Sequence, residues 1–191
     1  SGALWAWGYN YFGQLGDGTT TGQSSPVQVG SATNWTAVAA GNNHSLALKS
    51  DGTLWAWGYG TFGQLGDGTT TGQSSPVQVG SATNWTAVAA GSSHSLAINS
   101  NGTLWAWGHN TFGQLGDGTI NSRSSPVPVG SGTNWTAVAA GSYHSLALRS
   151  NGTLWALGSN DLGQLGDGGN SLKRTSPVQV GGATNWTAVA A

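Results

Sequence analysis

The sequence predicts an all-β protein, a β-propeller built from four-stranded antiparallel blades, and two observations carry this prediction. The first is an internal repeat: in a chain of 191 residues, Leu4, Leu54, Leu104 and Leu154 open four copies of one motif, spaced 50 residues apart. The second is apolar alternation with a period of two residues, with no helical period in any copy. Small sheets repeated in this way bury both faces only by stacking on their neighbours, and radial stacking gives a propeller.

Each copy contains four runs that indicate strands. In one copy they are Thr36–Ala40, His44–Leu48, Leu54–Trp57 and Val77–Val79. Alternation in the second run separates its leucines from Ser45 and Ala47, and in the third run it places Trp55 and Trp57 on one face. Pro76 precedes the fourth run and predicts a strand start or a sheet edge, because proline cannot donate to the ladder.

Glycine marks the predicted connections between these runs. Asx-Gly pairs lie between the second and third strands of each copy and predict tight hairpins; they are Asp51-Gly52, Asn101-Gly102 and Asn151-Gly152. Gly41 and its equivalents are expected to turn between the first and second strands. The segment 58–75 has no strand pattern, so we predict a structured loop with Phe62 and Leu65 tucked beneath it.

Composition excludes several classes of function. Charged residues make up 6% of the chain and the net charge is −1, so we expect neither nucleic acid nor an acidic membrane as a partner. There is no Cys and therefore no disulfide or thiol chemistry. No cofactor is predicted. This composition fits a bacterial extracellular repeat protein, and Ser1-Gly2-Ala3, where later copies read Asp/Asn-Gly-Thr, is interpreted as the boundary of a recombinant segment.

Three blocks recur at constant spacing: Ala-Val-Ala-Ala-Gly-x-x-His-Ser-Leu-Ala-Leu, Asp/Asn-Gly-Thr-Leu-Trp-Ala-Trp-Gly and Phe-Gly-Gln-Leu-Gly-Asp-Gly. Across the whole chain they resemble the repeats of the regulator of chromosome condensation family. The resemblance implies a propeller, and complete members of that family usually have about seven blades. We interpret residues 1–191 as one domain with repeat units of about 1–40, 41–90, 91–140 and 141–191.

The repeats do not add up to a complete ring. Ala191 corresponds to Ala40 and Ser1 to Asp51, so joining the two would skip the equivalent of 41–50, one entire second strand. Unpaired strand edges invite pairing with another chain. We therefore expect part of a larger ring, either a longer propeller or a chain that self-associates as a homodimer or larger ring. A closed four-bladed monomer is the alternative.

Two polar positions recur once per repeat. They are the histidines His44, His94 and His144, and the aspartates Asp17, Asp67, Asp117 and Asp167. Equivalent positions on adjacent blades lie too far apart to share one metal ion, so the histidines are predicted to be structural, bonding backbone near the turn. The aspartates are predicted to bond amides inside Gly-Asp-Gly, because paired catalytic carboxylates would need to lie within ~5–10 Å of each other. No catalytic or metal-binding residue is predicted.

The tryptophans of the third strand are predicted to fill the space between blades, where large amphipathic rings suit sheet-on-sheet packing. The first of each pair is Trp5, Trp55, Trp105 and Trp155. Ultraviolet photoreceptors of the resembling family carry Gly-Trp-Arg-His-Thr, where this chain reads Gly-Asn-Asn-His-Ser at 41–45. The photoreceptor role is therefore not expected here.

The copies differ mainly in their loops, which makes the variable loop residues the candidates for partner binding. These are Tyr9, Tyr11, Tyr59, His109, Arg123, Tyr143, Lys173 and Arg174. Because corresponding loops of consecutive blades are neighbours, Arg123, Lys173 and Arg174 are predicted to form a basic patch, with His109 and Tyr143 at its rim. Such a patch either binds an anionic partner or serves solubility.

The near-identity of the copies favours a non-enzymatic scaffold that binds a protein partner through its loops or another copy of itself through its edges. It also fits recent repeat amplification or deliberate design. Two alternatives stay open. The first is guanine-nucleotide exchange on a small GTPase, the best-known activity of the resembling family, which needs an inserted wedge that uniform repeats lack. The second is an extracellular module that binds glycans or the cell wall through loop Asn, Tyr and Trp side chains.

Overall fold

The structure is a computed structural model that describes residues 2–191, and in this range it contains fourteen strands. They are β1 (Trp5–Gly8), β2 (Gln23–Gln28), β3 (Trp35–Ala40), β4 (His44–Lys49), β5 (Leu54–Gly58), β6 (Gln73–Gln78), β7 (Trp85–Ala90), β8 (His94–Asn99), β9 (Leu104–Gly108), β10 (Arg123–Pro128), β11 (Trp135–Ala140), β12 (His144–Arg149), β13 (Leu154–Ser159) and β14 (Lys173–Gln179). Residues 2–191 contain no helix long and apolar enough to cross a membrane.

The strands form four antiparallel sheets, which we number as blades. Blade 1 consists of β1 and β2, blade 2 of β3–β6, blade 3 of β7–β10 and blade 4 of β11–β14. In the three four-stranded blades, strands adjacent in sequence are adjacent in the sheet. The predicted all-β architecture of four-stranded antiparallel blades is confirmed.

The predicted hairpins are present, and their glycines are required for two reasons. Gly52 has a φ of +75°, which favours glycine. A Cβ atom on Gly52 would also lie 2.1 Å from the carbonyl oxygen of Thr83, at the start of the next blade. The hairpin glycine therefore both turns the chain and allows the neighbouring blade to approach.

Strand register gives each blade two different faces. In blade 2 the leucine face carries Leu46, Leu48, Leu54 and Ala56, and the tryptophan face carries Ser45, Ala47, Trp55 and Trp57. The leucine face of blade 2 packs against Trp85 and Trp107 of blade 3. The indole of Trp107 is fully buried there, which contributes on the order of 4 kcal/mol by area. The same seam recurs between blades 1 and 2 and between blades 3 and 4.

The fourth strand starts earlier than predicted. The sequence indicated Val77–Val79, whereas β6 spans Gln73–Gln78. Its register shifts between the partners Ala56 and Gly58, so the polar residues at its start pair without apolar alternation. Pro76 lies in this outermost strand of the blade, at the sheet edge that the sequence predicted.

The row of blades is a partial propeller. In the described range β1 pairs only with β2. At the other side, the backbone N–H of Trp186 donates to the carbonyl of Gly152 at 3.1 Å, just as Trp85 donates to Gly52 at 3.1 Å. Residues 186–191 therefore begin where the first strand of a further blade would begin.

Candidate interaction surface

An aromatic residue follows the last glycine of each of the first three third strands, and a phenylalanine follows three positions later. The resulting pairs are Tyr9 and Phe12, Tyr59 and Phe62, and His109 and Phe112. Within each pair the ring centroids are 6.2–6.4 Å apart. These rings lie at one end of the blades, beside the turns between first and second strands.

The pairs join into one continuous row. The centroid of Phe12 lies 4.8 Å from that of Tyr59, and Phe62 lies 4.7 Å from His109. Phe112 lies 4.9 Å from Tyr143, in blade 4. We call this row the aromatic ridge; it comprises Tyr9, Tyr11, Phe12, Tyr59, Phe62, His109, Phe112 and Tyr143.

Much of the aromatic ridge is open to solvent. The exposed fractions are 64% for Tyr9, 69% for Tyr11 and 45% for Tyr143. Phe62 is 39% exposed, so the expectation that it tucks beneath the loop is wrong. Leu65 is fully buried, as predicted, whereas Phe62 packs edge-on against Tyr59 and at a tilt against His109. The structure thus brings five of the eight predicted loop residues together through Phe12, Phe62 and Phe112, which were not among those predicted residues.

A buried asparagine shapes the loop beneath the ridge. The Asn110 side-chain amide donates to Asp117, to the Thr119 carbonyl and to the Asn121 carbonyl, and its oxygen accepts from the Leu115 N–H. Asn10 and Asn160 make the same bonds in blades 1 and 4. This role was not predicted from the sequence, although Asn recurs at this position in three of the four loops. Blade 2 has Gly60 there.

The repeated aspartates hold the same loops. Asp117 accepts from the backbone N–H and the hydroxyl of Thr119, at 2.9 and 2.7 Å, and from Arg123. Burial raises the pKa of Asp117, but hydrogen bonds from Thr119 and Arg123 outweigh it and hold the pKa below its ordinary value. Asp17, Asp67 and Asp167 bond their own loops through amides in the same way.

Two of the three residues of the predicted basic patch form ion pairs within their own loops. Arg123 forms an ion pair with Asp117 at 2.8 Å, and Arg174 pairs with Asp167 at 2.6 Å. Both arginines lie at the start of the fourth strand of their blade, and each side chain extends from there to the aspartate of its own loop. The Lys173 ammonium donates instead to the backbone carbonyl of Thr111, at 3.4 Å.

Two of the three repeated histidines, His44 and His94, bond a hydroxyl group on the next blade rather than the predicted backbone group. His44 Nε2 lies 3.0 Å from Ser95 Oγ, and His94 Nε2 lies 2.9 Å from Ser145 Oγ. Burial lowers the pKa of His44 to about 4, and burial with the neighbouring histidines lowers that of His94 to about 3. Burial also lowers the pKa of His144. Residues 2–191 contain no group of three His, Asp or Glu side chains placed to hold a metal ion.

Two depressions lie near this end of the blades. One, of about 410 Å³, is lined by small residues at the inner strand ends, including Ala40, Ala90 and Ala140. The other, of about 370 Å³, adjoins the ridge at Tyr143 and also contacts Leu162. The second depression extends the aromatic ridge into a groove.

Four-stranded antiparallel sheets that stack face to face and present their loops along one rim define a β-propeller blade array. The chain belongs to the RCC1-like domain family, whose model matches residues 1–191. This confirms the family resemblance of the repeat motifs.

Solved structures similar to this chain include two propellers of known origin. Prp20p from Saccharomyces cerevisiae is 25% identical with a TM-score of 0.83, and the match covers 94% of this chain and 46% of Prp20p. Human WBSCR16 is 26% identical with a TM-score of 0.82, and the match covers 94% of this chain and 48% of WBSCR16. The chain therefore spans less than half the length of these relatives.

Proposed function

We propose that this chain is a non-enzymatic scaffold that binds an extended, proline-rich segment of a protein partner along the aromatic ridge. One observation carries the proposal: eight aromatic rings in mutual contact run along one rim and cross all the blade seams. Exposed aromatic rows of this extent are a recognised means of binding other proteins.

The electrostatics of the rim favour an uncharged ligand. Arg123 and Arg174 are neutralised by aspartates, so the rim offers little net charge to an acidic or basic partner. Ring packing and tyrosine hydroxyl groups are the interactions that it does offer. Polyproline II segments can form both interactions, because their proline rings pack against aromatic rings and their solvated carbonyls accept hydrogen bonds from hydroxyl groups. Grooves lined by aromatic side chains are their usual binding sites.

The relatives support the coarser part of the proposal. The reported properties of Prp20p include binding to Gsp1p and to histones, and a further structure shows Prp20p with Kap60. Propellers of this family thus bind other proteins. Because the chain spans less than half of Prp20p, those particular partners are not transferred to it.

A fluorescently labelled decaproline peptide tests the proposal. We expect its anisotropy to rise saturably on titration with the chain. Tyr59→Ala, in the middle of the ridge, should weaken binding by about 10-fold, because truncating an interface tyrosine typically costs more than 1 kcal/mol. Tyr59→Phe separates the hydroxyl contribution from that of the ring. The matched control is Ile120→Ser, which removes an exposed apolar side chain (49% exposed) outside the ridge.

Failure of decaproline to bind, or equal binding by Tyr59→Ala and the parent chain, would contradict the proposal. A cellohexaose titration distinguishes the glycan-binding alternative: binding of the sugar but not the peptide, lost in Tyr59→Ala, would favour a lectin. Accelerated release of labelled GDP from a small GTPase would favour the exchange alternative.

A further inference from the structure

The outer face of blade 1 exposes two tryptophans whose equivalents in the other blades are covered to a greater extent. Trp7 is 62% exposed and Trp5 is 51% exposed. Trp57 and Trp107, the equivalents of Trp7, are only 3% and 0% exposed, because each inserts into the preceding blade. Blade 1 therefore presents a complete set of third-strand tryptophans to solvent.

Each buried tryptophan makes one specific hydrogen bond across its seam. Trp57 Nε1 donates to the carbonyl of Gln14 at 2.9 Å, and Trp107 Nε1 donates to the carbonyl of Gln64 at 2.9 Å. In the sequence repeat, Trp7 occupies the donor position, and Gln164 of blade 4 occupies the acceptor position. The two halves of a further seam are thus present on opposite outer faces of this chain.

Within the described part of the chain, the loop of blade 4 makes no contact at the position where the equivalent loops pack against the fourth strand of the next blade. A Cβ atom on Gly63 would lie 2.5 Å from Ser124 Cα in the next blade. Gly163 has nearly the same φ, +76° against +79°, yet a Cβ atom there would meet nothing within 4 Å among residues 2–191. By the repeat, the residue that fits this place is Ser24 of a blade 1.

Two further exposed apolar side chains, Trp186 and Leu162, also have counterparts on blade 1. In blade 2, Trp35 lies edge-on to Trp55 at 6.2 Å; Trp186, 44% exposed, has the position of Trp35 and would meet Trp5 in the same way. Leu162, which is 89% exposed, has the position of Phe12. Its counterpart would be Tyr9, since Phe12 contacts Tyr59.

We propose that the tryptophan face of blade 1 docks on the leucine face of blade 4 of a second copy of this chain, head to tail. The second copy is the occupant because its third- and fourth-strand positions repeat those of the seams already present inside the chain. The second-strand contacts of those seams, such as that of His94 with Ser145, have no counterpart, because blade 1 consists of β1 and β2 in the described range. Trp7 Nε1 of one copy donates to the Gln164 carbonyl of the other, as Trp57 does to Gln14. Such a heterologous contact builds a closed ring where the rotation closes, and a longer assembly where it does not.

The mass of the chain in solution tests the proposal, by analytical ultracentrifugation across a range of concentrations. We expect a species of at least twice the monomer mass of 19.2 kDa, with a concentration-dependent blue shift of tryptophan emission as Trp7 becomes buried. Trp7→Ala removes a central interface anchor and should weaken association by about 30-fold or more. Gly163→Ala should weaken association as strongly, because its Cβ atom would clash with Ser24 of the docked blade 1, as a Cβ atom on Gly63 would with Ser124. Ile120→Ser is the control and should associate like the parent chain.

Mixing the two variants tests the head-to-tail arrangement. Trp7→Ala keeps an intact blade 4 face and Gly163→Ala an intact blade 1 face, so an equimolar mixture should recover a two-chain complex that neither variant forms alone. Circular dichroism checks that both variants remain folded. A monomeric parent chain at 100 μM, or a mixture that stays monomeric while the parent associates, would overturn the proposal. Decaproline binding is measured on monomeric Trp7→Ala, so the ridge and the docking contact are tested separately.

Discussion

His44 shows how one buried hydrogen bond fixes the protonation state of an imidazole. Ser95 Oγ donates its proton to the carbonyl of Gln64 at 2.8 Å, so it can only accept from His44. His44 Nε2 therefore carries the proton, and Nδ1, which has no hydrogen-bond partner among residues 2–191, keeps its lone pair. A second proton would place a buried charge beside no acceptor, which is why burial lowers the pKa so far.

These histidines predict a specific loss of stability in mild acid. Their folded pKa values, about 4 for His44 and about 3 for His94, lie below the ordinary value of 6.5. The unfolded chain therefore binds more protons between pH 6.5 and 4, and the free energy of unfolding should fall by about 1 kcal/mol per pH unit for each histidine. The aspartates with lowered pKa, such as Asp117, lose their contribution only below about pH 3.8.

Urea unfolding at intervals between pH 7.5 and 4.5 measures this slope. His94→Gln should be less stable than the parent chain at pH 7.5 and should have a shallower pH dependence. His109→Gln is the comparison, because His109 is only half-buried, although burial lowers its pKa as well. An unchanged slope in His94→Gln would contradict the assignment.

The sequence predicted a structural role for His44 but not its hydrogen-bond partner. The partner hydroxyl lies 51 residues away, on the next blade. Because adjacent residues of a strand face opposite sides of the sheet, the sequence indicated only that the side chains of His44 and Ser45 are not in contact. Which hydroxyl meets which ring depends on the rotation between blades, and no local pattern contains that rotation. The Phe62 error has the same origin, since its contacts Tyr59 and His109 belong to two blades.

The seam between blades 3 and 4 lacks a hydrogen bond that the other seams have. Trp57 and Trp107 donate across the first two seams, whereas Leu157 takes the equivalent place in blade 4 and is fully buried. The Gln114 carbonyl keeps only the bond from Ser145, at 2.9 Å. A single side chain with an N–H donor at position 157 would therefore supply the missing hydrogen bond of this seam.

Leu157→Trp should raise the free energy of unfolding by about 1 kcal/mol, by donating to the Gln114 carbonyl and filling the seam as Trp107 does. Gly116, which faces Leu157, leaves the same space that Gly66 leaves for Trp107. Leu157→Phe is the matched control, since it adds a ring without an N–H donor. Chemical denaturation compares the three chains. If Leu157→Trp is no more stable than Leu157→Phe, the indole hydrogen bond contributes nothing to the seam.

Strand alternation was enough to predict the two faces of β4 and β5, because both faces are apolar and differ in residue size. It was not enough for the start of β6. Gln73 pairs with Gly58 across a register shift. A polar strand segment beyond such a shift shows no apolar alternation from which a strand could be predicted. The sequence thus identified the central strands of each blade and missed the irregular beginning of its outer strand.

The whole row of blades leaves one inner strand uncovered. First strands pack against the second strand of the preceding blade, as β7 does against β4 and β11 against β8. Blade 1 has no second strand among residues 2–191, so Val38 is 59% exposed. A groove of about 130 Å³ lies between Val38 and the residues of β1, including Trp5 and Ala6. The repeat arithmetic predicted this missing strand, but not which valine its absence would expose.

Supplying that strand should stabilise the chain. We expect an extension of Gly-Asn-Asn-His-Ser-Leu-Ala-Leu-Lys-Ser, the sequence of residues 41–50, placed before Ser1 to pair with β1 and cover Val38. Burying its two leucines contributes roughly 3–6 kcal/mol, which the ordering of the added backbone offsets in part, leaving a net gain of about 2 kcal/mol in the free energy of unfolding. A matched extension with both leucines replaced by serine supplies the same backbone without the apolar contacts, and should give no gain. Equal denaturation midpoints for the two extended chains would show that the groove beside Val38 does not accept the second strand of the repeat.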